Sequence, residues 1–279
     1  MKKYAFLRFP GFKDKALTLS YDDGVVYDRK LIEIMNTYGL KGTFNINSGK
    51  FPEKTGGRRL TKEECLNLYV QSGNEVAVHG SKHLSLTEVD ETMGVNDILQ
   101  DRITLENMFG KIIKGMAYAN GVYDDLAVDI LKKCGIEYAR TIVSTESFSV
   151  PIDWMRMPTT CHHDNPRLME LAHIFVEKES SQVFGQNVPR LFLLWGHSYE
   201  FDRNDNWNII EEFAKYMGNR KDIWYATNGE IYNYVKAYNR LEFSADGKII
   251  YNPSSMTVWL KYFNQDIEIK PGDTIKIQI

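Results

Sequence analysis

Five side chains of the types that bind metals and transfer protons follow three apolar stretches of the sequence. Asp22 and Asp23 follow LTLSY, His197 follows LFLLWG, and the pair His79 and His83 lies in VAVHGSKHL. Neutral imidazole is the commonest metal ligand in proteins, and carboxylates complete many divalent metal sites. If these stretches are parallel strands, their carboxyl ends meet at one edge of a sheet. The pattern therefore predicts a divalent metal site that activates water.

The adjacent aspartates have a simple explanation when a metal is present. Two histidines and one carboxylate leave an open position for water on a catalytic metal. One aspartate then ligates the metal, while the other accepts a proton from the activated water. The charge of the metal offsets the repulsion that would otherwise raise the pKa of one carboxyl group.

Each of these signals also has a simpler interpretation. Asp-Asp-Gly is common in hydrophilic turns, and a single histidine at the end of a strand is often structural. His79 and His83 are four residues apart, so they face one ion only if a helical turn follows the strand. The argument for a site is that three strand ends deliver such residues in one sequence.

The elements that must position these side chains alternate between strands and helices. Amphipathic segments lie between the apolar stretches, and glycine follows several of them, as at the ends of helices. This alternation favours parallel strands joined by helical crossovers, in a barrel or in an open doubly wound sheet. Strands are predicted at residues 16–21, 42–47, 75–80, 112–119, 138–142, 154–158, 191–196 and 223–227.

The three motifs together resemble those of the polysaccharide deacetylases, the NodB homology domains of carbohydrate esterase family four. The family's first motif, Thr-Phe-Asp-Asp-Gly, is matched by Ser20 to Gly24, and its last, Leu-x-x-His, by Leu194 to His197. The second, His-Ser/Thr-x-x-His, is matched in spacing by HGSKH, with glycine in place of the hydroxyl residue. The similarity spans about residues 13 to 236.

The resemblance implies a fold, an activity, a cofactor and a role for each residue. The implied fold is an irregular (β/α) barrel of about seven parallel strands. The implied activity is removal of acetyl groups from an N- or O-acetylated carbohydrate, with Zn²⁺ or else Co²⁺, Ni²⁺ or Mn²⁺. The implied roles are general base for Asp22, metal ligands for Asp23, His79 and His83, general acid for His197, and contact with the acetyl methyl group for Leu194.

The family's third motif, Arg-Pro-Pro-Tyr, is poorly matched. It aligns with MAYANG, so Ala117 replaces the arginine that holds the base, and Asn120 takes the tyrosine position. The backbone N–H there helps to hold the oxyanion in the family. Arg140, near the end of the next apolar strand, either replaces the missing cation or forms an ordinary surface or interdomain salt bridge.

The fourth family motif contains an aspartate and a tryptophan, which Asp153 and Trp154 match. The resemblance then implies that Asp153 orients His197 and that Trp154 forms a wall of the groove. A further cluster, TTCHHDN, corresponds to no family motif. We interpret it as a polar loop, with substrate contact by His162 or His163 as the alternative.

The pattern of the sequence changes after about residue 240. We predict a barrel domain at residues 1–240 and a small β-rich extension at residues 241–279. LEFSADGKIIYN and IEIKPGDTIKIQI each have the pattern of a hairpin. The expected role of the extension is packing against the barrel, with carbohydrate binding as the alternative.

Composition and charge limit the partners and the compartment. The net charge is −3 and basic residues form no long run, so neither nucleic acid nor an anionic membrane is an expected partner. No apolar run approaches the ~20 residues that span a bilayer, and the first residues do not resemble a signal peptide. Cys65, Cys134 and Cys161 are too far apart for a thiolate zinc site, which favours a reducing, cytoplasmic location.

Three functions remain open on the sequence alone. The leading hypothesis is metal-dependent deacetylation of an acetylated sugar. The missing arginine of the third motif favours a carbohydrate-binding protein without catalytic activity. Hydrolysis of another small amide is the third possibility, because long polysaccharides are scarce in the cytoplasm.

Overall fold

A parallel β-barrel surrounded by helices, with smaller antiparallel sheets beside it, makes up residues 4–278, which the computed structural model describes. The helices of this part of the chain are α1 (Asp28–Thr37), α2 (Lys62–Ser72), α3 (Glu91–Phe109), α4 (Asp125–Lys133), α5 (Leu168–Glu177), α6 (Ser198–Arg203), α7 (Asn208–Met217) and α8 (Asn228–Asn239). The strands are β1 (Ala5–Arg8), β2 (Lys15–Asp22), β3 (Gly42–Ile46), β4 (Glu75–Val78), β5 (Gly115–Ala117), β6 (Tyr138–Ser144), β7 (Met157–Thr159), β8 (Cys161–His162), β9 (Gln182–Val183), β10 (Gln186–Asn187), β11 (Arg190–Gly196), β12 (Ile223–Tyr225), β13 (Glu242–Phe243), β14 (Ile249–Tyr251), β15 (Val258–Tyr262), β16 (Gln265–Ile269) and β17 (Thr274–Lys276).

The barrel closes through one interrupted strand. The sheet has the order β7-β6-β5-β4-β3-β2-β11-β8, and β12 pairs with the first residues of β2. β7 and β8 lie at opposite ends of this order, yet only Thr160 separates them in the chain. β7 pairs in parallel with β6 and β8 pairs in parallel with β11, so the sheet joins its own edge. With β7 and β8 taken as one strand and β12 as an addition, the barrel has the seven parallel positions that the family resemblance implies.

Strand β2 illustrates why the two faces of the barrel differ. All of its residues are buried, as expected for a strand with helices on one side and the barrel interior on the other. Leu17, Leu19 and Tyr21 pack in the main hydrophobic cluster with the helices. Because side chains alternate along a strand, Ser20 and Asp22 point into the interior. The polar end of β2 therefore lies inside the barrel rim.

Local sequence signals set several element boundaries. The Thr61–Glu64 and Thr227–Glu230 pairs form capping boxes at the starts of α2 and α8. The strand predicted at 154–158 begins later than expected, because residues 154–156 form a 3₁₀ turn and only β7 is extended. The side chain of Asp153 accepts the backbone N–H of Met155 and so caps this turn.

The remaining strands form antiparallel sheets with the orders β1-β15-β16 and β13-β14-β17, and the hairpin β9-β10. The hairpin predicted around Asp246-Gly247 forms between β13 and β14. The hairpin predicted around Pro271 is wrong, because β16 pairs with β15 whereas β17 pairs with β14. The tight turn lies instead at Phe263 and Asn264, whose φ angles of 44° and 65° suit a two-residue hairpin.

The first and last segments of the described chain pack together. β1 pairs with β15, and the hydroxyl of Tyr234 in α8 donates to the carbonyl of Arg8 over 2.5 Å. One sheet thus contains strands from both sides of residue 240. The division into 1–240 and 241–279 stays a prediction.

Two observations bear on the environment of the chain. The three cysteines are free thiols, and all are buried. Among the residues described, no helix combines the length and apolar character needed to cross a membrane.

Candidate metal centre and active site

Three strands of the barrel bring the candidate side chains to one rim. β2 ends at Asp22, β4 ends one residue before His79, and β11 ends one residue before His197. The strands of this sheet pair in parallel, so these ends lie on the same side of the barrel. The Oδ2 atom of Asp22 lies 3.9 Å from Nε2 of His79 and 3.9 Å from Nε2 of His197. Asp22 is therefore close to both imidazoles.

A tight turn brings His83 back to His79. Gly80 and His83 have φ angles of 80° and 62°, and the N–H of His83 donates to the carbonyl of Gly80 over 3.1 Å. The turn is not helical, so the helical turn expected from the spacing is wrong. The left-handed residues instead reverse the chain, and they bring the two Nε2 atoms to 3.2 Å from each other.

Asp23, His79 and His83 form a donor set that fits a divalent metal. Their ligand atoms all lie within 4.8 Å of one another. Two ligands about 2.1 Å from a tetrahedral zinc are about 3.4 Å apart, a separation close to that of the two Nε2 atoms. The Nδ1–H of His79 donates to the carbonyl of Ala117 over 2.8 Å, which leaves the Nε2 lone pair free for a metal.

Both imidazoles are held in the neutral form that a metal ligand requires. Burial lowers the pKa of His79 below its ordinary value. Burial, together with the neighbouring His79, lowers the pKa of His83 to about 4. At neutral pH the two rings are therefore uncharged, so a cation does not have to compete with the extra proton of an imidazolium.

Arg59 fixes the position of Asp23. Asp23 has a φ angle of 88°, which is unusual for a residue with a side chain. Arg59 donates from Nη2 to Oδ1 of Asp23 over 3.0 Å and from Nη1 to its backbone carbonyl over 2.5 Å. The sequence analysis missed Arg59, which follows Gly56-Gly57 in a loop without periodicity. One carboxylate oxygen is thus held by the loop.

Asp22 is buried against the guanidinium group of Arg140. Nη2 of Arg140 lies 2.5 Å from each carboxylate oxygen, and Asn45 donates to Oδ1 over 2.8 Å. Arg140 of β6 pairs in register with Ala117 of β5. The cation absent at Ala117 is therefore supplied from the adjacent position on the next strand. Arg140 is completely buried, which excludes the surface salt bridge considered from the sequence.

Asp22 and His197 have opposite protonation tendencies. Burial raises the pKa of Asp22, but the charges of Arg140, His79 and His197 outweigh it and lower the pKa to about 2. Burial lowers the pKa of His197, but the hydrogen bond to Glu200 and the charge of Asp22 raise it above the ordinary value. The site thus contains a carboxylate acceptor beside an imidazole that holds its proton more tightly than usual.

The role predicted for Leu194 is contradicted by its orientation. Leu194 packs with Phe192 in the cluster between the barrel and the helices. The adjacent Trp195 alternates to the interior, where its ring lies 4.8 Å from the guanidinium of Arg140. The ring centroids of Trp195 and His197 are 6.0 Å apart. Trp195, which the resemblance did not single out, is therefore the apolar side chain beside the site.

The orienting role predicted for Asp153 is also contradicted. Its carboxylate bonds to Arg156 over 2.8 Å in the turn before β7. Nδ1 of His197 instead lies 3.2 Å from Oε2 of Glu200, one turn into α6. The expected carboxylate contact exists, but a different segment of the chain supplies it.

Trp154 and Asn120 occupy more peripheral positions. Trp154 packs against Tyr232 of α8, with ring centroids 5.3 Å apart, and this contact gives no support to a groove wall. Asn120 follows β5 with a φ angle of 56°, and its amide donates to the hydroxyl of Ser85 over 2.9 Å. This bond ties the loop after β5 to the segment after His83. The oxyanion role of the Asn120 backbone N–H stays a prediction.

The two adjacent histidines of TTCHHDN reach the same rim. Nε2 of His162 lies 3.2 Å from Oε2 of Glu200, and the ring of His162 is only partly exposed. His163 is completely buried, with its ring 4.0 Å from that of Phe201 and 5.7 Å from that of Tyr21. A solvated polar loop is therefore the wrong interpretation of this segment.

Comparison with known families agrees with this geometry. The family model of polysaccharide deacetylases matches residues 10–139. This range contains Asp22 and the three candidate metal ligands, and it ends immediately before Arg140. The resemblance inferred from the motifs is thus confirmed for the matched segment. No curated protein sequence matches the chain.

Solved structures share the fold of this chain at low sequence identity. A Mycobacterium smegmatis protein assigned as a polysaccharide deacetylase is 17% identical, with a TM-score of 0.58 over 84% of this chain and 94% of that chain. The Xyl-CE4 domain of a multidomain xylanase from the hindgut metagenome of Trinervitermes trinervoides is 14% identical, with a TM-score of 0.52 over 80% and 92%. The Streptococcus pyogenes deacetylase PplD, in complex with acetate, is 19% identical, and the match covers 45% of this chain and 55% of that chain with a TM-score of 0.42. The first two likenesses establish the NodB-type barrel.

Proposed function

We propose that this protein is a metal-dependent hydrolase that removes acetyl groups from an N- or O-acetylated carbohydrate. The observation that carries the proposal is the position of Asp22, whose Oδ2 lies 3.9 Å from both His79 and His197. A proton acceptor thus adjoins a candidate metal site on one side and a proton donor on the other. The family match over residues 10–139 supports the substrate class.

Asp23, His79 and His83 would hold the metal. Two imidazoles and one carboxylate suit Zn²⁺ with an open position, and Co²⁺, Ni²⁺ or Mn²⁺ also accept these ligands. When bound, a divalent cation polarises the acetyl carbonyl and lowers the pKa of a water molecule. The hydrogen bond from His79 to the carbonyl of Ala117 and the contact of Arg59 with Asp23 would orient two of the three ligands.

Asp22 would act as the general base. Its carboxylate is held by Arg140 and Asn45 and remains ionised at neutral pH, so it is available to accept a proton from the attacking water. The same contacts fix the direction of the carboxylate within the barrel.

His197 would act as the general acid. Its raised pKa keeps a larger fraction of the ring protonated near neutral pH, and Nε2 faces the site. From there it can donate a proton to the departing amine or alcohol. Trp195 beside it would exclude water from the reacting atoms.

The contact between Arg140 and Asp22 also weighs against a binding protein without catalytic activity. The missing arginine of the third motif was the main support for that alternative. Since Arg140 provides a buried cation to Asp22, the departure at Ala117 does not leave the base unsupported.

The test is release of acetate from acetylated chito- and xylo-oligosaccharides. Chelator-treated protein is assayed alone and after addition of each candidate metal. We expect acetate release only with metal. His197→Ala should lower the rate by about 10²–10⁴-fold while the amount of bound metal stays the same, because His197 is not one of the metal ligands.

Two results would contradict the proposal. One is absence of acetate with every metal and substrate, although the metal is bound stoichiometrically. The other is full activity after the chelator has removed all metal. Tyr216→Phe, in α7, is a matched control that removes a hydroxyl bonded to Glu177 and should leave the rate unchanged.

A further inference from the structure

Glu200 joins two histidines that come from different strands. It lies in the first turn of α6, and its side chain is 13% exposed. Its Oε2 atom lies 3.2 Å from Nδ1 of His197 and 3.2 Å from Nε2 of His162. It also accepts the backbone N–H of His197 over 3.1 Å. One carboxylate oxygen therefore has three nitrogen atoms as hydrogen-bond partners, and Nε2 of the buried His163 lies 3.3 Å from it without a hydrogen bond.

The surrounding contacts fix which nitrogen carries each proton. The backbone N–H of Asp164 lies 3.2 Å from Nδ1 of His162, so Nδ1 accepts and the proton of the neutral ring is on Nε2. That Nε2–H then donates to Glu200. The carboxylate in turn requires a proton on Nδ1 of His197, since an ionised carboxylate can only accept. His197 thus directs Nε2 towards Asp22.

We propose that Glu200 is a positioning residue for His197, and that His162 holds Glu200 in place. This inference rests on the proposed function, in which His197 donates a proton to the leaving group. Glu200 fixes the rotamer and tautomer of the ring and stabilises the imidazolium form, as a carboxylate behind a catalytic histidine does. It takes the place expected for Asp153, whose carboxylate is bound to Arg156.

A purely structural role for Glu200 predicts different behaviour. Glu200 completes a capping box at the start of α6 through the backbone N–H of His197. Glutamine also serves at this position of a capping box. Glu200→Gln therefore preserves the cap and the size of the side chain but removes the charge and leaves one amide oxygen for three donors.

The same carboxylate belongs to a group with His162, His163 and Asp164 whose ligand atoms lie within 4.8 Å of one another. Hydrogen bonds to His162 and His197 already account for the position of Oε2. A cation there would need the Nε2 proton of His162 to leave. The number of zinc ions bound therefore distinguishes a positioning role of Glu200 from a second metal site.

The experiment compares wild-type protein and Glu200→Gln, both loaded with zinc. With an acetylated sugar, kcat should fall by about 10–100-fold while KM stays the same. With 4-nitrophenyl acetate the loss should be much smaller, because the nitrophenolate departs without a proton. Each protein should bind one equivalent of zinc.

A second measurement does not depend on activity. In ¹⁵N-histidine spectra recorded where the rings are neutral, wild-type His197 should have its proton on Nδ1 and His162 on Nε2, and Glu200→Gln should alter the His197 pattern. Glu177→Gln is the matched control, because Glu177 forms an exposed contact of 3.1 Å with His173. That variant should leave kcat and the His197 signals unchanged.

The possible results test the positioning role of Glu200 and the proposed function separately. The inference is overturned if Glu200→Gln keeps wild-type kcat, if it loses activity equally with both substrates, if the His197 signals do not change, or if it loses a second equivalent of zinc. If wild-type protein hydrolyses neither substrate, the proposed function fails, while the histidine spectra still decide whether Glu200 sets the tautomer of His197.

Discussion

Asp22 and Arg140 form an ion pair, and the sequence motifs predict the position of Asp22 but not that of its cation. Asp22 occupies the expected position in its motif, whereas the cation has moved to the neighbouring strand, in register with Ala117. The interior of a barrel accepts such an exchange because side chains from adjacent strands reach the same point. What the site requires is a positive charge at the Asp22 carboxylate, from either strand.

The first prediction concerns this ion pair. Arg140→Ala leaves a buried carboxylate without its cation, and removal of one partner of a buried pair costs about 3–5 kcal/mol. We expect the free energy of unfolding, measured in urea at pH 7, to fall by that amount. Arg140→Ala combined with Asp22→Asn should recover part of the loss, because the uncompensated charge is gone.

Arg156 provides the control for this prediction. Its pairs with Asp125 and Asp153 are exposed, so Arg156→Ala should change the free energy of unfolding by only ~0.5 kcal/mol. Equal effects of the two alanine substitutions would show that Arg140 is not a buried counter-ion.

The sequence was informative about side chains that directly follow strands. Asp22, Asp23, His79 and His197 gather as expected, because parallel strands end on the same side of the barrel. Arg59 could not be predicted, since it comes from an irregular loop and is brought to Asp23 by tertiary packing.

Glu200 and Trp195 could have been found from local geometry. Trp195 follows from the alternation of side chains in β11, which puts Leu194 on the opposite face. Glu200 follows from the three-residue spacing to His197 at a helix start, a capping-box pattern. The family motifs instead imply these roles for Leu194 and Asp153.

At the level of elements, the turn from His79 to His83 determines whether the ligands meet. Gly80 has a φ angle of 80°, and a Cβ atom at this position would lie 2.6 Å from Oδ2 of Asp97. Asp97 also accepts the backbone N–H of Lys82 over 2.7 Å, so it holds the next residues of the turn. Glycine is therefore required here for both its conformation and its small size.

The second prediction is that Gly80→Ala weakens metal binding. The left-handed conformation alone costs a residue with a side chain about 1–2 kcal/mol, and the clash with Asp97 displaces the turn that presents His83. We expect the zinc affinity of metal-free protein, measured by calorimetry, to fall at least tenfold.

Gly73 provides a control that distinguishes the effect of backbone strain from the effect of displacing the metal ligands. It has a φ angle of 70° at the end of α2, with open space where a Cβ atom would be added. Gly73→Ala should lower the free energy of unfolding to a similar extent but leave the zinc affinity unchanged. Wild-type affinity in Gly80→Ala would contradict the importance of the turn.

Element types were easier to predict from the sequence than their pairing. Most strands of the barrel appear at the predicted residues, because short apolar runs between amphipathic helices have few other arrangements. The pairing of β16 and β17 was wrong, since Pro271 and Gly272 mark a turn but do not determine whether the next strand returns to the same sheet.

For the whole molecule, Asp28 connects segments that are far apart in the chain. This buried carboxyl at the start of α1 accepts hydrogen bonds from Tyr69 of α2 and from Ser198, the residue after His197. It also accepts the backbone N–H of Val25 over 3.2 Å. Burial raises the pKa of Asp28 to about 7, although these hydrogen bonds oppose the rise.

The third prediction follows from the sign of this shift. Between about pH 4 and 7 the folded protein keeps the Asp28 proton, whereas the unfolded chain loses it, so the folded state binds more protons and stability falls as pH rises. An asparagine in place of Asp28 can accept hydrogen bonds from Val25 and Tyr69 and can donate one to Ser198. The free energy of unfolding of Asp28→Asn should therefore decrease by about 2–4 kcal/mol less than that of the wild type between pH 4 and 7.

Denaturation of metal-free protein by urea at pH 4, 5, 6 and 7 measures this difference. The absence of metal keeps histidine ligation from contributing to the pH dependence. Parallel curves for the two proteins would mean that Asp28 titrates as an ordinary carboxyl group and does not influence the packing of the three segments.

The most direct test of the account is a crystal structure of the zinc-soaked protein with anomalous diffraction recorded at the zinc edge. We predict a strong peak about 2.0–2.2 Å from Nε2 of His79, from Nε2 of His83 and from a carboxylate oxygen of Asp23. An empty position between these three side chains, in crystals whose protein binds zinc elsewhere or not at all, would contradict the central claim.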